Sequence, residues 1–192
     1  MEINEIIDNL TAWAQENLCN NTELLKPPAK SGDMSSDYEL VTPKAFPLYV
    51  PTKDLKGQLP PDVSFQLPSI CVQLVKGSDD MAQNERSIEL RLSFSAYRPG
   101  TFTEDKEGNV VFERNSDGWK DLWLWVSKSI NKLQTDMYIE GVRIEKTTPI
   151  TYGHFQIDEN MLINRIKEDI KVYEYFFDVI IIADARFESE IE

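Results

Sequence analysis

The single histidine of this chain, His154, is the side chain best suited to general acid–base chemistry near neutral pH. A serine or cysteine nucleophile activated by an imidazole would have to use it. His154 lies between Gly153 and Phe155 in a strand-like stretch, where a structural or surface histidine is the more common situation. A small enzyme or ligand-binding α+β module that uses His154 and nearby carboxylates therefore stays open as an alternative.

Adjacent carboxylates recur along the chain and could share a proton or hold a hard cation. That chemistry requires carboxylates that converge in a cleft, whereas these pairs fall in predicted turns or on a solvated helix face. No calcium-loop, phosphate-binding, dinucleotide-binding, nucleophile-elbow or zinc-protease motif is present. The sequence therefore predicts no catalytic residue, no cofactor and no metal site. The acidic pairs are Asp79-Asp80, Glu104-Asp105, Asp158-Glu159 and Glu168-Asp169.

The charge balance of the chain is strongly acidic, with 33 acidic and 20 basic side chains and a net charge of −13. Such a surface repels phosphates, so specific nucleic-acid binding is not expected. Acidic side chains could nevertheless line a channel through which DNA passes without adhering. Solubility alone is the simpler interpretation of the same charge.

The cysteines and the apolar runs indicate a cytoplasmic protein. Cys19 and Cys71 have no spacing typical of a zinc site or a disulfide framework, so both are expected to be reduced and buried. The N-terminus lacks the pattern of a secretion signal. The longest purely apolar run, Val179 to Ala183, is far shorter than the ~20 residues that span a bilayer. We therefore expect no membrane association.

Strict alternation of apolar and polar side chains from Ile88 to Arg98 predicts a half-buried strand at the centre of an antiparallel sheet. Two other segments, Ser69 to Lys76 and Val172 to Ala185, have the character of its partner strands. The first is expected to form a hairpin with a long acidic tip. A small ribbon is predicted between Thr101 and Phe112.

Two amphipathic helices are predicted to pack on this sheet, one from Met1 to about Cys19 and one from Ser116 to about Gln134. A third, weaker helical pattern runs from Asp158 to Ile170. Leu124 and Trp125 lie outside the apolar stripe of the second helix. That stripe consists of Trp119, Leu122, Trp123, Val126, Ile130 and Leu133.

Together these patterns predict an α+β fold, a mostly antiparallel sheet packed by an N-terminal and a central amphipathic helix. Residues 1–187 form one domain, and residues 188–192 form an acidic tail. Residues 20–68 contain eight of the ten prolines and are predicted to form a long Pro-rich arm inserted in that domain.

A connection as long as the arm is uncommon within a compact domain and requires an explanation. Two interpretations stay open, a loop draped over its own core and an arm that packs on a neighbouring subunit. Apolar residues of the arm, together with the two residues outside the helix stripe, are the candidate interface. They are Tyr38, Leu40, Phe46, Leu48, Tyr49, Leu124 and Trp125.

Three stretches carry a family resemblance: L-P-S-I-C-V-Q-L at 67–74, R-L-S-F-S-A-Y-R at 91–98 and S-D-G-W-K-D-L-W-L-W at 116–125. With the order of predicted elements, the chain resembles the tail terminator proteins of long-tailed phages and of phage-tail-like bacteriocins, in which the equivalent piece forms a collar. The likeness extends over most of residues 1–187, and the arm is longer here than in compact members.

The resemblance implies a non-enzymatic α+β subunit that assembles into a hexameric ring. Such a ring caps the tail tube and, in contractile tails, the sheath, and ends their polymerisation. Its partners are further copies of the chain, tube and sheath proteins and a head-connector protein, and it has no catalytic residues. Assembly in the cytoplasm of a bacterial host, within a virion tail or a released tail-like particle, follows from the same resemblance. A head–tail connector or neck protein is the nearest alternative, and an immunity-type or chaperone binding protein is a more distant one.

Overall fold

The computed structural model describes residues 2–27, 38–99, 101–113, 117–136, 138–139, 141–145, 148–153 and 174–186. The predicted helix at 158–170, the tail at 188–192 and His154 lie outside these residues. Helix α1 (Ile3–Ala14) continues directly into a π-helical turn, Gln15–Cys19. The described elements are α1 (Ile3–Ala14), β1 (Leu24–Leu25), β2 (Leu40–Val41), β3 (Lys44–Pro47), β4 (Ser69–Asp80), β5 (Glu85–Tyr97), β6 (Thr101–Glu104), β7 (Val110–Glu113), α2 (Asp117–Thr135), β8 (Tyr138–Ile139), β9 (Val142–Ile144), β10 (Thr151–Gly153) and β11 (Glu174–Arg186).

A seven-stranded sheet forms the centre of the described fold, with strand order β3-β4-β5-β11-β9-β8 and with β10 also paired to β11. Only the β3–β4 pair is parallel, and the other pairs of this sheet are antiparallel. Strand β5 lies between β4 and β11, as its alternating pattern predicts. The α+β class and the mostly antiparallel sheet are therefore confirmed.

The core lies on one face of the three long strands. Ile88, Leu90, Leu92 and Phe94 of β5 alternate onto that face and are buried. Apolar residues of β4 and β11 stand opposite them in the register, for example Val72 and Val179 on either side of Leu92. Helices α1 and α2 cover this face with residues that recur at helical spacing: Ile6, Leu10 and Ala14 from α1, and Leu122, Val126 and Leu133 from α2.

The β4–β5 hairpin is paired over a longer distance than the sequence predicts. The ladder continues to the Asp80–Glu85 pair, so the predicted end of the first strand at Lys76 and the long unpaired acidic tip after it are wrong. A bidentate ion pair of Arg86 with Asp79 holds the two strands together near their ends. Four residues, 81–84, remain for the turn. The Asp80 carboxylate closes it by accepting backbone N–H bonds from two of them.

Parts of the Pro-rich segment are incorporated into sheets. β1 and β2 pair with each other, and β3 joins the main sheet at its edge. The side chain of Gln15 holds β3 beside the π-helical turn, because its Oε1 accepts from Ala45 N at 2.8 Å and its Nε2 donates to Pro43 O at 3.2 Å. Pro47 ends β3, and an edge strand is where a residue without an N–H is tolerated.

The buried face of α2 differs from the predicted stripe. Trp125 is 2% exposed, whereas Trp123, placed in the stripe by its spacing, is 43% exposed. Trp125 donates from Nε1 to the carbonyl of Leu18 at 2.7 Å and meets Phe94 edge-to-face at 5.1 Å. The expectation that Trp125 lies outside the core is therefore wrong, because the π-helical turn after α1 offers it a hydrogen-bond acceptor, which spacing along α2 cannot reveal.

The two cysteines are buried and unpaired, as predicted. Burial raises the pKa of the Cys19 thiol to about 12 and that of the Cys71 thiol to about 11. The folded protein thus disfavours both thiolates, which are the reactive forms.

Replacing Trp125 by Ala is expected to lower the free energy of unfolding by about 3–5 kcal/mol, because it opens a cavity and leaves the Leu18 carbonyl without its donor. Leu124→Ala, one residue earlier and exposed, is the matched control, with a change within about 0.5 kcal/mol. Urea denaturation followed by circular dichroism measures both. Equal effects of the two substitutions would contradict the assigned core face.

The raised thiol pKa values predict a loss of stability in alkali. Above pH 9 the thiols ionise in the unfolded chain but stay protonated in the folded one. Ionisation therefore stabilises the unfolded state and does not stabilise the folded state. The free energy of unfolding should fall by about 1 kcal/mol per thiol between pH 9 and 10. A Cys19→Ala/Cys71→Ala variant, compared by urea denaturation at both pH values, should lose correspondingly less. Identical pH slopes for the variant and the parent would disprove the assignment.

Candidate subunit interface

Four of the candidate interface residues present apolar side chains to solvent: Leu40, Leu48, Tyr49 and Leu124. The other three do not. Phe46 and Trp125 are buried within the subunit, and Tyr38 is half-buried with its ring 6.2 Å from that of Tyr97. Phe46 and Trp125 therefore stabilise the subunit itself, which corrects their placement at an interface.

The backbone at Leu48 has an unfavourable conformation. Its φ is +64°, and Tyr49 N donates to Pro47 O at 2.7 Å across it, which makes a γ-turn directly after β3. A leucine at positive φ is uncommon and costs of order 1 kcal/mol or more. Two bonds hold the turn against β4: Leu48 N donates to Val72 O at 2.8 Å, and Gln73 Nε2 donates to Leu48 O at 3.2 Å. A strained and fixed backbone thus holds an exposed leucine and an exposed tyrosine.

Leu55, in the connection between β3 and β4, is a further apolar residue that is fully exposed. It was not predicted as an interface residue. It lies in a tight turn in which the Asp54 carboxylate accepts bonds from the backbone N–H groups of Lys56 and Gln58, both at 2.8 Å. Gly57 completes the turn at φ +77°. The sequence D-L-K-G carries the signal of such a turn, and a leucine at its tip is the part that requires explanation.

The segment that bears these residues also bears positive charge. Lys53 and Lys56 are exposed on either side of Leu55, and the described residues place no acidic side chain within ion-pair distance of either. Lys44 lies over the ring of Phe65 at 5.6 Å. Residues 48–56 contain two lysines, Lys53 and Lys56, and one exposed carboxylate, Asp54, so this segment carries a net charge of +1, in contrast with −13 for the whole chain.

Leu124 lies beside a shallow cleft of about 160 Å³ between α2 and the residues that follow the π-helical turn. Burial raises the pKa of the neighbouring Asp121 carboxyl, and the Arg98 guanidinium, 3.3 Å away, acts in the opposite direction. Lys128 also lines the cleft. The surface around Leu124 thus carries charges of both signs, and Leu124 is the exposed apolar side chain among the residues that line the cleft.

The tip of the β4–β5 hairpin carries Met81, which is 74% exposed and was not singled out from the sequence. Tyr138 and Tyr152 are further exposed aromatic residues. Trp123 is partly covered by Phe177, with the two ring centroids 4.6 Å apart. The exposed apolar residues of the described chain therefore fall in several separate places, among them the segment 48–55 and the β4–β5 turn with Met81.

The face of the sheet that turns away from the helices holds a polar network. Ser93 donates to Asp178 at 2.6 Å, and Arg91 lies 4.0 Å from the other oxygen of the same carboxylate. Ser69 and Ser95 bond each other at 2.8 Å. These contacts link β4, β5 and β11, which gives the network a structural role.

The described part of the chain contains no group of three or more His, Cys, Asp or Glu residues placed to hold a metal ion. None of its helices has both the length and the apolar character needed to cross a membrane. The histidine-based alternative depends on His154, which lies outside the described residues.

No family model, curated protein or solved structure matches this chain. Of the surfaces described above, the basic and apolar one at 48–56 has the most unusual construction.

Proposed function

We propose that this chain is a non-enzymatic structural subunit that forms a closed ring, six copies by the family resemblance, at the end of a phage tail or phage-tail-like particle. The ring caps the tail tube and sheath, ends their polymerisation and provides the collar-side or head-side joining surface. Its partners are further copies of itself, tube and sheath proteins and a head-connector protein. It assembles in the bacterial cytoplasm.

The observation that carries the proposal is the exposed leucine at φ +64°. A turn required only by the fold is better served by Gly or Asn, which adopt positive φ at little cost. Leu48 is instead an apolar side chain, and next to it Tyr49 is 68% exposed. Conformational strain at an exposed apolar residue is accounted for when a second molecule covers that side chain.

A ring of identical subunits provides such a cover. Head-to-tail contacts join two different surfaces of the same chain, and they end in a ring when the rotation closes. Exposed apolar residues at separate places, such as Leu48 and Met81, fit this requirement better than a single self-complementary patch does. The net charge of −13 is compatible with a lumen through which DNA passes without binding.

The mass of the assembled particle tests the proposed ring. Purified protein at high concentration is expected to have about six times the mass of one chain by light scattering. Labelled protein should appear by negative-stain microscopy at the upper end of assembled tails. A chain that stays monomeric at all concentrations, and is missing from tail ends, would disprove the proposed function.

Two substitutions of Leu48 separate the effect on association from the effect on folding. Leu48→Asn suits the positive φ and removes the apolar side chain, so the free energy of unfolding of the monomer should stay the same or rise by about 1 kcal/mol. The ring should be lost. Leu48→Met keeps an apolar side chain at the same backbone position and should keep the ring. A full ring formed by Leu48→Asn would show that this residue does not contact a neighbour.

A further inference from the structure

A ring of acidic subunits must overcome the repulsion between its members. Each copy carries −13, so any contact between copies needs a local region of opposite charge. One such region is present at the end of β3. We define the basic patch as the exposed residues Leu48, Tyr49, Lys53, Leu55 and Lys56. Asp54 lies between the two lysines, where its carboxylate accepts bonds from the backbone N–H groups of Lys56 and Gln58, and the net charge of the segment is +1.

The hairpin tip, residues 79–85, has the complementary properties. It carries the carboxylates of Asp79, Asp80 and Glu85, of which Asp79 is paired with Arg86. Its apolar side chain, Met81, is 74% exposed. Methionine adapts its shape to a partner surface, so a protruding Met81 flanked by acids is suited to a site that is apolar and basic.

The two surfaces do not cover each other within one copy, because Leu55 and Met81 are both exposed. Leu48 is bonded to Val72 near the start of β4, and Asp80 lies eight residues further along the same strand, about 26 Å away at 3.3 Å per residue. A contact between them has to join different copies.

The outer edge of β4 between Val72 and Asp80 is less suited to a contact between copies. In the described sheet, β3 pairs with β4 only as far as Val72, which leaves the later backbone groups of β4 without a strand beside them. A bulge between Leu74 and Lys76 interrupts the edge, and Lys76 places a charge on it. Both features hinder strand addition.

We propose that the basic patch of one copy docks on the hairpin tip of the next copy, in the same sense around the ring. The contact pairs Lys53 and Lys56 with the acidic residues of the tip and buries Met81 against Leu48, Tyr49 and Leu55. This inference rests on the proposed ring-forming function and names the surfaces that form the ring.

Two variants test the contact. The patch variant, Lys53→Glu/Lys56→Glu, reverses the exposed charges of the basic patch, and the tip variant, Met81→Lys, places a cation at the tip. Each alone should weaken self-association by about tenfold or more. Circular dichroism and thermal unfolding verify that both fold. Lys53→Arg/Lys56→Arg, which keeps the charge, and Tyr138→Asp, which alters an exposed aromatic residue elsewhere, are the controls and should assemble as the parent does.

An equimolar mixture of the two variants gives the sharper result. The tip variant retains an intact patch and the patch variant an intact tip, so the mixture should form a one-to-one heterodimer that cannot grow, with the mass of two chains by light scattering. A single chain that carries all three substitutions should not associate, because its tip keeps the carboxylates of Asp79, Asp80 and Glu85 beside the new lysine and repels an acidic patch.

The contact is overturned if either variant alone forms rings at the parent concentration, if the mixture stays monomeric, or if Tyr138→Asp is equally defective. If the parent protein still forms rings in those cases, the proposed function stands and only the patch-to-tip contact is disproved. If the parent protein never associates and is missing from tail ends, both the proposed function and the contact are disproved.

Discussion

The packing of one indole ring connects the layers of this fold. Trp125 comes from α2, donates to the Leu18 carbonyl at the end of the π-helical turn and rests its edge against Phe94 at the centre of the sheet. The end of a helix leaves carbonyl groups that need donors, and a buried one is costly if it stays unpaired. Satisfying that carbonyl from α2 fixes the two helices relative to each other and to the strand beneath them.

The same π-helical turn also determines where the basic patch lies. Gln15, its first residue, holds the backbone of β3 through Pro43 and Ala45. β3 in turn ends at the strained Leu48. The π-helical turn therefore takes part both in core packing and in positioning the surface. It holds β3, and the end of β3 holds the exposed side chain of Leu48.

Much of the fold could be predicted from the sequence because the elements have strong periodicity. Alternation marked β5 as the central strand and helical spacing marked α1 and α2, and the structure confirms each. The face of α2 was less predictable. Trp123 and Trp125 are both large and apolar, and which of them is buried depends on an acceptor in the π-helical turn, the Leu18 carbonyl, more than 100 positions away in the sequence.

The surface was harder to predict than the core. The exposure of Leu48 and Tyr49 was compatible with their Pro-rich surroundings, but Phe46, two residues earlier, is buried, and composition does not distinguish them. Met81 is exposed because cross-strand ion pairs extend the hairpin to a short turn, which a run of polar residues did not indicate. Positive φ at Leu48 has no sequence signal, since leucine is not a residue that favours it.

The parallel pairing of β3 with β4 closes the connection between them into a loop whose two ends are fixed at the same sheet edge. Lys44 N is bonded to Pro68 O and Leu48 N to Val72 O, and Gln66 joins the loop internally through Pro51 O. Such a loop has already lost much of its conformational freedom when the subunit folds. If copies join as proposed, this loop would lose little further conformational entropy, and even a modest contact area would support lasting assembly.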